Sequence, residues 1–328
     1  LLMKKIRVGV IGVGYLGKFH AEKYSRMKDV QLVGVVDIDK SRAKDVAAAF
    51  GTSALTDYQD LFGKVDAVSV VVPTEAHYSV GAEFLNHDVD VLIEKPMTTS
   101  LEQADDLIKI AESKHRILQV GHLERFNPAV IALKNIVHNP MFIEAHRLSI
   151  FKDRSTDVSV VLDLMIHDID IIMNVVKSDI KSIHAAGVPV ICDHADIANV
   201  RLEFESGCVA NVTASRISTK NQRKIRLFQK DTYVSVDFAG REITIVRRDE
   251  NHADAVIPGM DIRQLSFSEA DALEDELASF IEAVSTRQIP VVSGYAGRKA
   301  LEVALSIMDQ INAAIRRLGN SIPLQLEK

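Results

Sequence analysis

The chain is predicted to fold as a doubly wound parallel α/β sheet followed by an α+β segment whose sheet is largely antiparallel and open-faced. Three observations carry that expectation. Apolar, β-branched runs alternate with helix-spaced stretches as far as Gly121. Beyond it, strands follow one another across short turns. And 328 residues exceed what one hydrophobic core usually holds. The expected division is a first domain over residues 1–121 and a second over residues 122–328, the latter for substrate and subunit contacts.

Ile6–Ile11 is apolar but for Arg7 and Gly9, as a strand buried on both faces of a parallel sheet requires. Further strands are expected at Gln31–Val36, Val65–Val72, Val89–Ile93 and Ile117–Val120. Helical spacing marks Lys40–Phe50, Glu75–Asn86 and Ser100–Lys114 between them. Ser100 with Glu102 and Gln103 supplies an N-cap and its partner for the last of these. In the second segment, helices are expected at Pro128–Val137 and Val161–Val176. Strands are expected at Phe142–Phe151, Ile197–Phe204, Cys208–Ser215, Lys224–Gln229, Tyr233–Asp237 and Glu242–Arg247. Ser206–Gly207 and Ala239–Gly240 serve as turns. Glu269–Thr286 and Gly297–Leu318 read as closing helices separated at Pro290, where neither can continue.

Composition narrows the function classes. Hydrophobic residues at 47% and charged residues at 26% describe an ordinary globular chain. A net charge of -6 argues against nucleic acid, whose phosphates call for a dominant basic face. Two cysteines, Cys192 and Cys208, are too few for a disulfide framework and point to a reducing compartment, the cytoplasm. No stretch reads as a signal peptide or membrane span, and no histidine or cysteine spacing fits a metal site. Small molecules are the expected partners.

Gly12-Val13-Gly14-Tyr15-Leu16-Gly17 follows the first strand and opens a helical pattern. In that context the three glycines serve a tight turn, a close approach of backbone to pyrophosphate, and close packing of helix on strand; the amides at the helix start meet the phosphates. Asp37 lies 20 positions after Gly17 at the end of the second strand, where a carboxylate accepts from the adenosine ribose hydroxyls and repels a 2′-phosphate. The pattern predicts a Rossmann domain that takes NAD, with Arg42 as the nearby cation that would instead accommodate NADP.

Glu94-Lys95-Pro96 leaves the strand Val89–Ile93. Together with Pro73-Thr74-Glu75-Ala76-His77, Arg125-Phe126-Asn127-Pro128 and Asp163…His167…Asp170, this triplet resembles the glucose-fructose oxidoreductase, inositol dehydrogenase and MocA family over nearly the whole chain. The longer strings Val120–Pro128 and Val161–Asp170 are similar to those of its bacterial UDP-N-acetylglucosamine 3-dehydrogenases. The resemblance implies NAD-dependent oxidation of a sugar hydroxyl to a ketone, at C3 of UDP-N-acetylglucosamine or a related nucleotide sugar, for lipid A or surface glycans. It also implies Lys95 at the reacting hydroxyl and a sheet packed on another subunit, giving a homodimer or homotetramer. An inositol or free-aldose dehydrogenase is the alternative within the family, and a non-catalytic NAD-binding regulator the alternative outside it.

Asp163, His167 and Asp170 fall at i, i+4 and i+7, one face of a regular helix. Imidazole is suited to accept the hydroxyl proton, so His167 competes with Lys95 for the role of base. Asp163 would orient the imidazole or bind a substrate hydroxyl, and Asp170 would support from behind. Pro96 is a candidate for a cis bond that fixes the direction of Lys95. Pro73, Thr74 and His77 are expected beside the nicotinamide with Glu94, or as caps of the next helix. His122, Arg125 and Asn127 are expected to line a substrate cleft. The basic run Arg216, Lys220, Arg223, Lys224, Arg226 suits a diphosphate, an exposed strand face or a subunit contact.

Overall fold

The computed structural model describes residues 5–151, 158–249, 257–268 and 270–319. They form two compact units: Leu1–Phe126 with Asp271–Leu301, and Asn127–Ala270 with Glu302–Lys328.

In the first unit, strands β1 (Ile6–Ile11), β2 (Val30–Val36), β3 (Ser53–Leu55), β4 (Ala67–Val70), β5 (Asp90–Glu94) and β6 (Leu118–Gly121) form a parallel sheet of order β3-β2-β1-β4-β5-β6. Helices α1 (Tyr15–Arg26), α2 (Lys40–Phe50), α3 (Thr74–Asn86) and α4 (Leu101–Ser113) make the crossovers. The order reverses between β1 and β4, and the carboxyl ends of these strands are where doubly wound sheets bind ligands. Strand burial is continuous rather than alternating: β4 and β5 are buried at every residue, as parallel strands covered on both faces must be. Helix α2 starts where Asp39 Oδ1 accepts from the amides of Ser41 and Arg42, and ends at Gly51 in the left-handed region (φ 65°). Ser100 caps α4 as its sequence predicts, accepting from Gln103 N.

One helix departs from a division at residue 121. Helix α7 (Ala272–Thr286) belongs to the first unit, where Leu277, Phe280, Ile281 and Val284 share a core with Val8, Val10, Tyr24 and Val35. Lys23 of α1 pairs with Asp271 at its start, and Arg287 at its end holds buried Asp90 through both carboxylate oxygens. The apolar face of α7 therefore completes the first core from 150 residues further along the chain, a contact that no local pattern announces. The proposed start of this helix at Glu269 lies outside the described residues.

The second unit carries β7 (Phe142–Leu148), β8 (Ile180–Val188), β9 (Ile197–Phe204), β10 (Val209–Ser215), β11 (Gln222–Gln229), β12 (Thr232–Asp237), β13 (Glu242–Arg248) and β14 (Met260–Ser266) in the order β14-β13-β12-β11-β7-β10-β9-β8. Only β7 and β10 run parallel. The edges β8 and β14 escape the sequence reading because their residues are half-buried or exposed, without a consistently buried face. Helix α5 (Pro128–Leu133) is shorter than the expected Pro128–Val137. Helix α6 (Ile166–Val176) is preceded by a π-helical turn, Val161–Met165. Helix α8 (Gly294–Gly319) begins in the first unit and ends in the second. Among the described residues, no helix is long and apolar enough to cross a membrane, and no cluster of His, Cys, Asp or Glu is placed to hold a metal ion.

Candidate active site

The glycine turn meets the geometric demands read from its sequence. Gly12 has φ 82°, and a Cβ there would lie 2.5 Å from Val71 O. A Cβ on Gly17 would fall 1.9 Å from Gly12 O, so α1 closes on the turn only with hydrogen at this position. Gly14 is different: a Cβ would meet nothing within 4 Å. Its emptiness is room for something outside the chain, beside the N-terminus of α1, whose cap makes no side-chain hydrogen bond.

Asp37 is buried and pins the turn. Its Oδ2 accepts from Val13 N at 3.0 Å, its Oδ1 from Asp39 N at 2.9 Å, and Arg42 Nη1 reaches both oxygens at 3.2 and 3.3 Å. The half-exposed guanidinium of Arg42 lies against this carboxylate, at the end of β2 where doubly wound sheets meet the adenosine ribose. A cleft of about 610 Å³ opens here, lined by Gly12, Gly14, Asp37, Arg42, Val72 and Pro73 among others. Ile38, Thr56 and Tyr58 also line it, and sequence pattern singled out none of the three. Tyr15 is exposed, edge-on to Phe19, and Val13 is buried. The open cradle at Gly14, the N-terminus of α1 beside it and the buried carboxylate of Asp37 at the end of β2 fit NAD.

Two residues expected at the cofactor turn inward. His77 is 2% exposed, with Nδ1 2.8 Å from Pro96 O and Nε2 2.9 Å from Val72 O. It neither caps α3 nor presents its ring to a ligand. Burial lowers its pKa against the raising effect of those carbonyls. Glu94 is likewise buried: Oε1 lies 3.3 Å from His20 Nε2, and Oε2 accepts from Lys95 N at 3.2 Å. Burial alone would raise the Glu94 pKa, but His20 and the Lys95 charge outweigh it and hold it below the ordinary value. His20, on the inner face of α1, was not among the sequence candidates; its only signal was a polar residue on the packed side of an amphipathic helix. The Lys95–Pro96 bond is cis. Pro73 precedes α3 as its cap residue and Thr74 is its first residue, without a side-chain cap.

At the end of β6, His122 is buried and Arg125 sits in the 3-10 turn Leu123–Phe126. Asn127 does structural work: its side chain caps α5 by accepting from Ala129 N at 3.0 Å.

In the second unit, the π-turn puts Asp163 on a wider helical path than the i, i+4, i+7 reading assumes. Asp163 and His167 are half-buried, whereas Asp170 is 1% exposed. The neighbour that sequence reasoning passed over is Asp168, which receives Arg147 Nε at 2.8 Å and Nη2 at 2.9 Å, both residues buried. This forked pair fastens α6 to β7. The basic run is not a single patch. Arg226 pairs with Glu144, and Arg216 is buried, donating to Val158 O. Arg223 stands cross-strand to Arg147 at a cleft of about 250 Å³ that Leu164 of the π-turn also lines.

The fold and the glycine cradle are those of a dinucleotide-binding protein, and comparison with known proteins gives its class and family. Residues 6–122 match the model of the oxidoreductase family with NAD-binding Rossmann fold, and residues 131–235 match the GFO/IDH/MocA C-terminal domain. The chain is 38% identical over 316 residues to UDP-N-acetylglucosamine 3-dehydrogenase of Acidithiobacillus ferrooxidans, covering 96% of this chain and all of that one. A crystal form of that enzyme superposes with a TM-score of 0.89 at 37% identity over 95% of this chain and 99% of that chain. Myo-inositol 2-dehydrogenase of Thermotoga maritima is 27% identical over 90% of this chain and 93% of that protein. The chain belongs to the Gfo/Idh/MocA family, as its motifs imply. It is an NAD-dependent oxidoreductase acting on CH–OH groups.

Proposed function

We propose that the protein oxidises the 3-hydroxyl of UDP-N-acetylglucosamine, or of a closely related nucleotide sugar, to a ketone. The observation that carries the reading is 38% identity across the entire length of an enzyme named for that reaction. NAD, when bound, accepts the hydride. The chain has to hold the pyrophosphate on the amides after Gly12, fix the ribose with Asp37, and take the hydroxyl proton as the C–H hydride leaves. Lys95 or His167 is the base. The Lys95 charge favours the alkoxide-like transition state, and Asp163 orients the imidazole or a substrate hydroxyl. His122 and Arg125 belong to the substrate side, and the cleft at Arg147 and Arg223 offers a cation to a diphosphate. The reading includes a cytoplasmic homodimer or homotetramer.

Following NADH formation with NAD+ and UDP-N-acetylglucosamine tests the substrate, with an aminotransferase and 2-oxoglutarate added to draw off the ketone. No signal in the coupled assay rejects it, and turnover of inositols or free aldoses instead selects the family alternative. Replacing the base by alanine lowers kcat by about 10²–10⁴-fold. Full activity in both Lys95→Ala and His167→Ala rejects the catalytic assignment, and absence of turnover on the whole panel favours a non-catalytic regulator.

A further inference from the structure

The segment Glu94-Lys95-Pro96 is held from both ends by buried histidines on different helices. On one side, His20 of α1 is 0% exposed, and its Nε2 lies 3.3 Å from Glu94 Oε1; the same carboxylate accepts from Lys95 N at 3.2 Å. On the other side, His77 of α3 lies 2.8 Å from Pro96 O and 2.9 Å from Val72 O, tying the residue after Lys95 to the chain leaving β4. A third element closes the nest: a Cβ on Gly121 of β6 would come within 2.8 Å of Glu94 Oε1, so only glycine leaves the carboxylate its place.

Neither contact is what core packing alone would select. Burying a carboxylate beside an imidazole costs desolvation energy that their contact only partly offsets, and an apolar pair of the same volume would fill the space at least as well. Both ring nitrogens of His20 are buried without a hydrogen bond of regular geometry, and Nε2 has the Glu94 carboxylate at ion-pair distance, 3.3 Å. A polar ring kept in the core at that cost, with the Glu94 carboxylate as its charged neighbour, calls for an explanation beyond packing. Buried polar contacts of this kind fix one conformation of the backbone they hold, here the peptide from which Lys95 projects.

We propose that His20 and His77 are positioning residues for Lys95, His20 acting through the Glu94 carboxylate and His77 through the Pro96 carbonyl. This rests on the reading of Lys95 as a group at the reacting hydroxyl. Neither histidine touches substrate or cofactor in this role. Together they set the direction of the lysine, and a misplacement of about 1 Å at a reacting group is enough to cost about a hundredfold in rate.

The test is a double-mutant cycle with NADH affinity, read by fluorescence titration, as the check that the cofactor domain has folded. His20→Ala and His77→Ala are each expected to lower kcat by about a hundredfold while KM for the sugar and Kd for NADH move far less. His20→Gln, whose amide still donates to Glu94, recovers part of the loss. In a Lys95→Ala background, where only residual turnover remains, adding His20→Ala or His77→Ala costs nothing further. Equal losses with and without Lys95, or full activity in the single variants, overturn the inference and leave the reading of Lys95 standing. Full activity of Lys95→Ala alone overturns that reading and the inference with it. Crystal structures of His20→Ala and His77→Ala give a measurement that needs no substrate: Lys95 Nζ displaced by about 1 Å or more supports the proposal, and an unmoved lysine refutes it.

Discussion

At the scale of single residues, two glycines of one turn are under different constraints, and substitution separates them. Gly17→Ala drives a methyl to 1.9 Å from Gly12 O, so the turn or α1 must shift; the expected result is a fall in melting temperature together with loss of NADH binding. Gly14→Ala meets nothing within 4 Å and has an ordinary φ of -66°. Its melting temperature should stay near the wild-type value while NADH affinity drops, because the methyl occupies room kept for the pyrophosphate. Thermal scans and NADH titration of the two variants check this, and equal destabilisation by both would contradict it. The same contrast explains what was legible in the sequence. Gly12, Gly14, Gly17 and Asp37 announce themselves because a ligand-facing turn after a strand has a fixed spacing. His20 and Asp168 do not, since their partners Glu94 and Arg147 lie far along the chain and a buried polar residue has no local signature. For His77, position was legible and orientation was not: it sits after β4 as expected, with its ring turned into the protein.

At the scale of elements, the strongest local patterns were read most closely. β1, β9 and α2 fall on their expected bounds because β1 is a nearly unbroken apolar run, β9 alternates between buried and more exposed residues, and α2 is bounded by its caps. β3, β8 and β14 were missed for the converse reason, being short or lacking a buried face. Helix α6 depends on a contact of the same long-range kind, the forked pair from Arg147 of β7 to Asp168, with side chains 4% and 2% exposed. Arg147→Ala removes both charge-assisted bonds to that buried carboxylate and is expected to cost about 3–5 kcal/mol, read as a lower urea midpoint at unchanged slope. A loss below about 1 kcal/mol would show that the pair is not what fastens the helix. A second fastening predicts acid sensitivity. Asp196 is 0% exposed, and burial alone would raise its pKa, but backbone donors from Val190 at 2.8 Å, Ile191 at 2.6 Å and Cys192 at 3.0 Å hold it at about 2, below the ordinary 3.8. A depressed carboxylate stabilises the fold above its unfolded pKa and loses that contribution as pH falls through the folded one. Stability should therefore drop by about 2 kcal/mol between about pH 4 and about pH 2 on account of this group. Asp196→Asn, which keeps an acceptor and removes the charge, should flatten that part of the curve in urea titrations; an unchanged acid slope would refute the assignment.

At the scale of the whole molecule, the eight-stranded sheet has two unlike faces. On β7, Ile143, Ala145 and Arg147 are buried on the side that carries α6, while Phe142, Glu144, His146 and Leu148 alternate with them on the opposite side, half-exposed. That second face has an organisation of its own. Phe142, Phe228 and Tyr233 form a row across three adjacent strands, with ring centroids 5.6 and 5.0 Å apart, and Glu144 pairs with Arg226 in the next row. Contiguous aromatic surface bordered by a charge pair is unusual for a face left in water, and it has the composition of an interface core with a polar rim. A twofold assembly through this sheet would bury the row against its own copy, since such an interface uses the same patch twice. Sedimentation is expected to show a dimer or tetramer at micromolar concentration. Phe228→Glu, which puts a carboxylate in the middle of the row, should shift the protein towards monomer and make its melting temperature less dependent on concentration. A wild-type monomer at high concentration, or a Phe228→Glu variant that associates as before, would exclude this face as the contact.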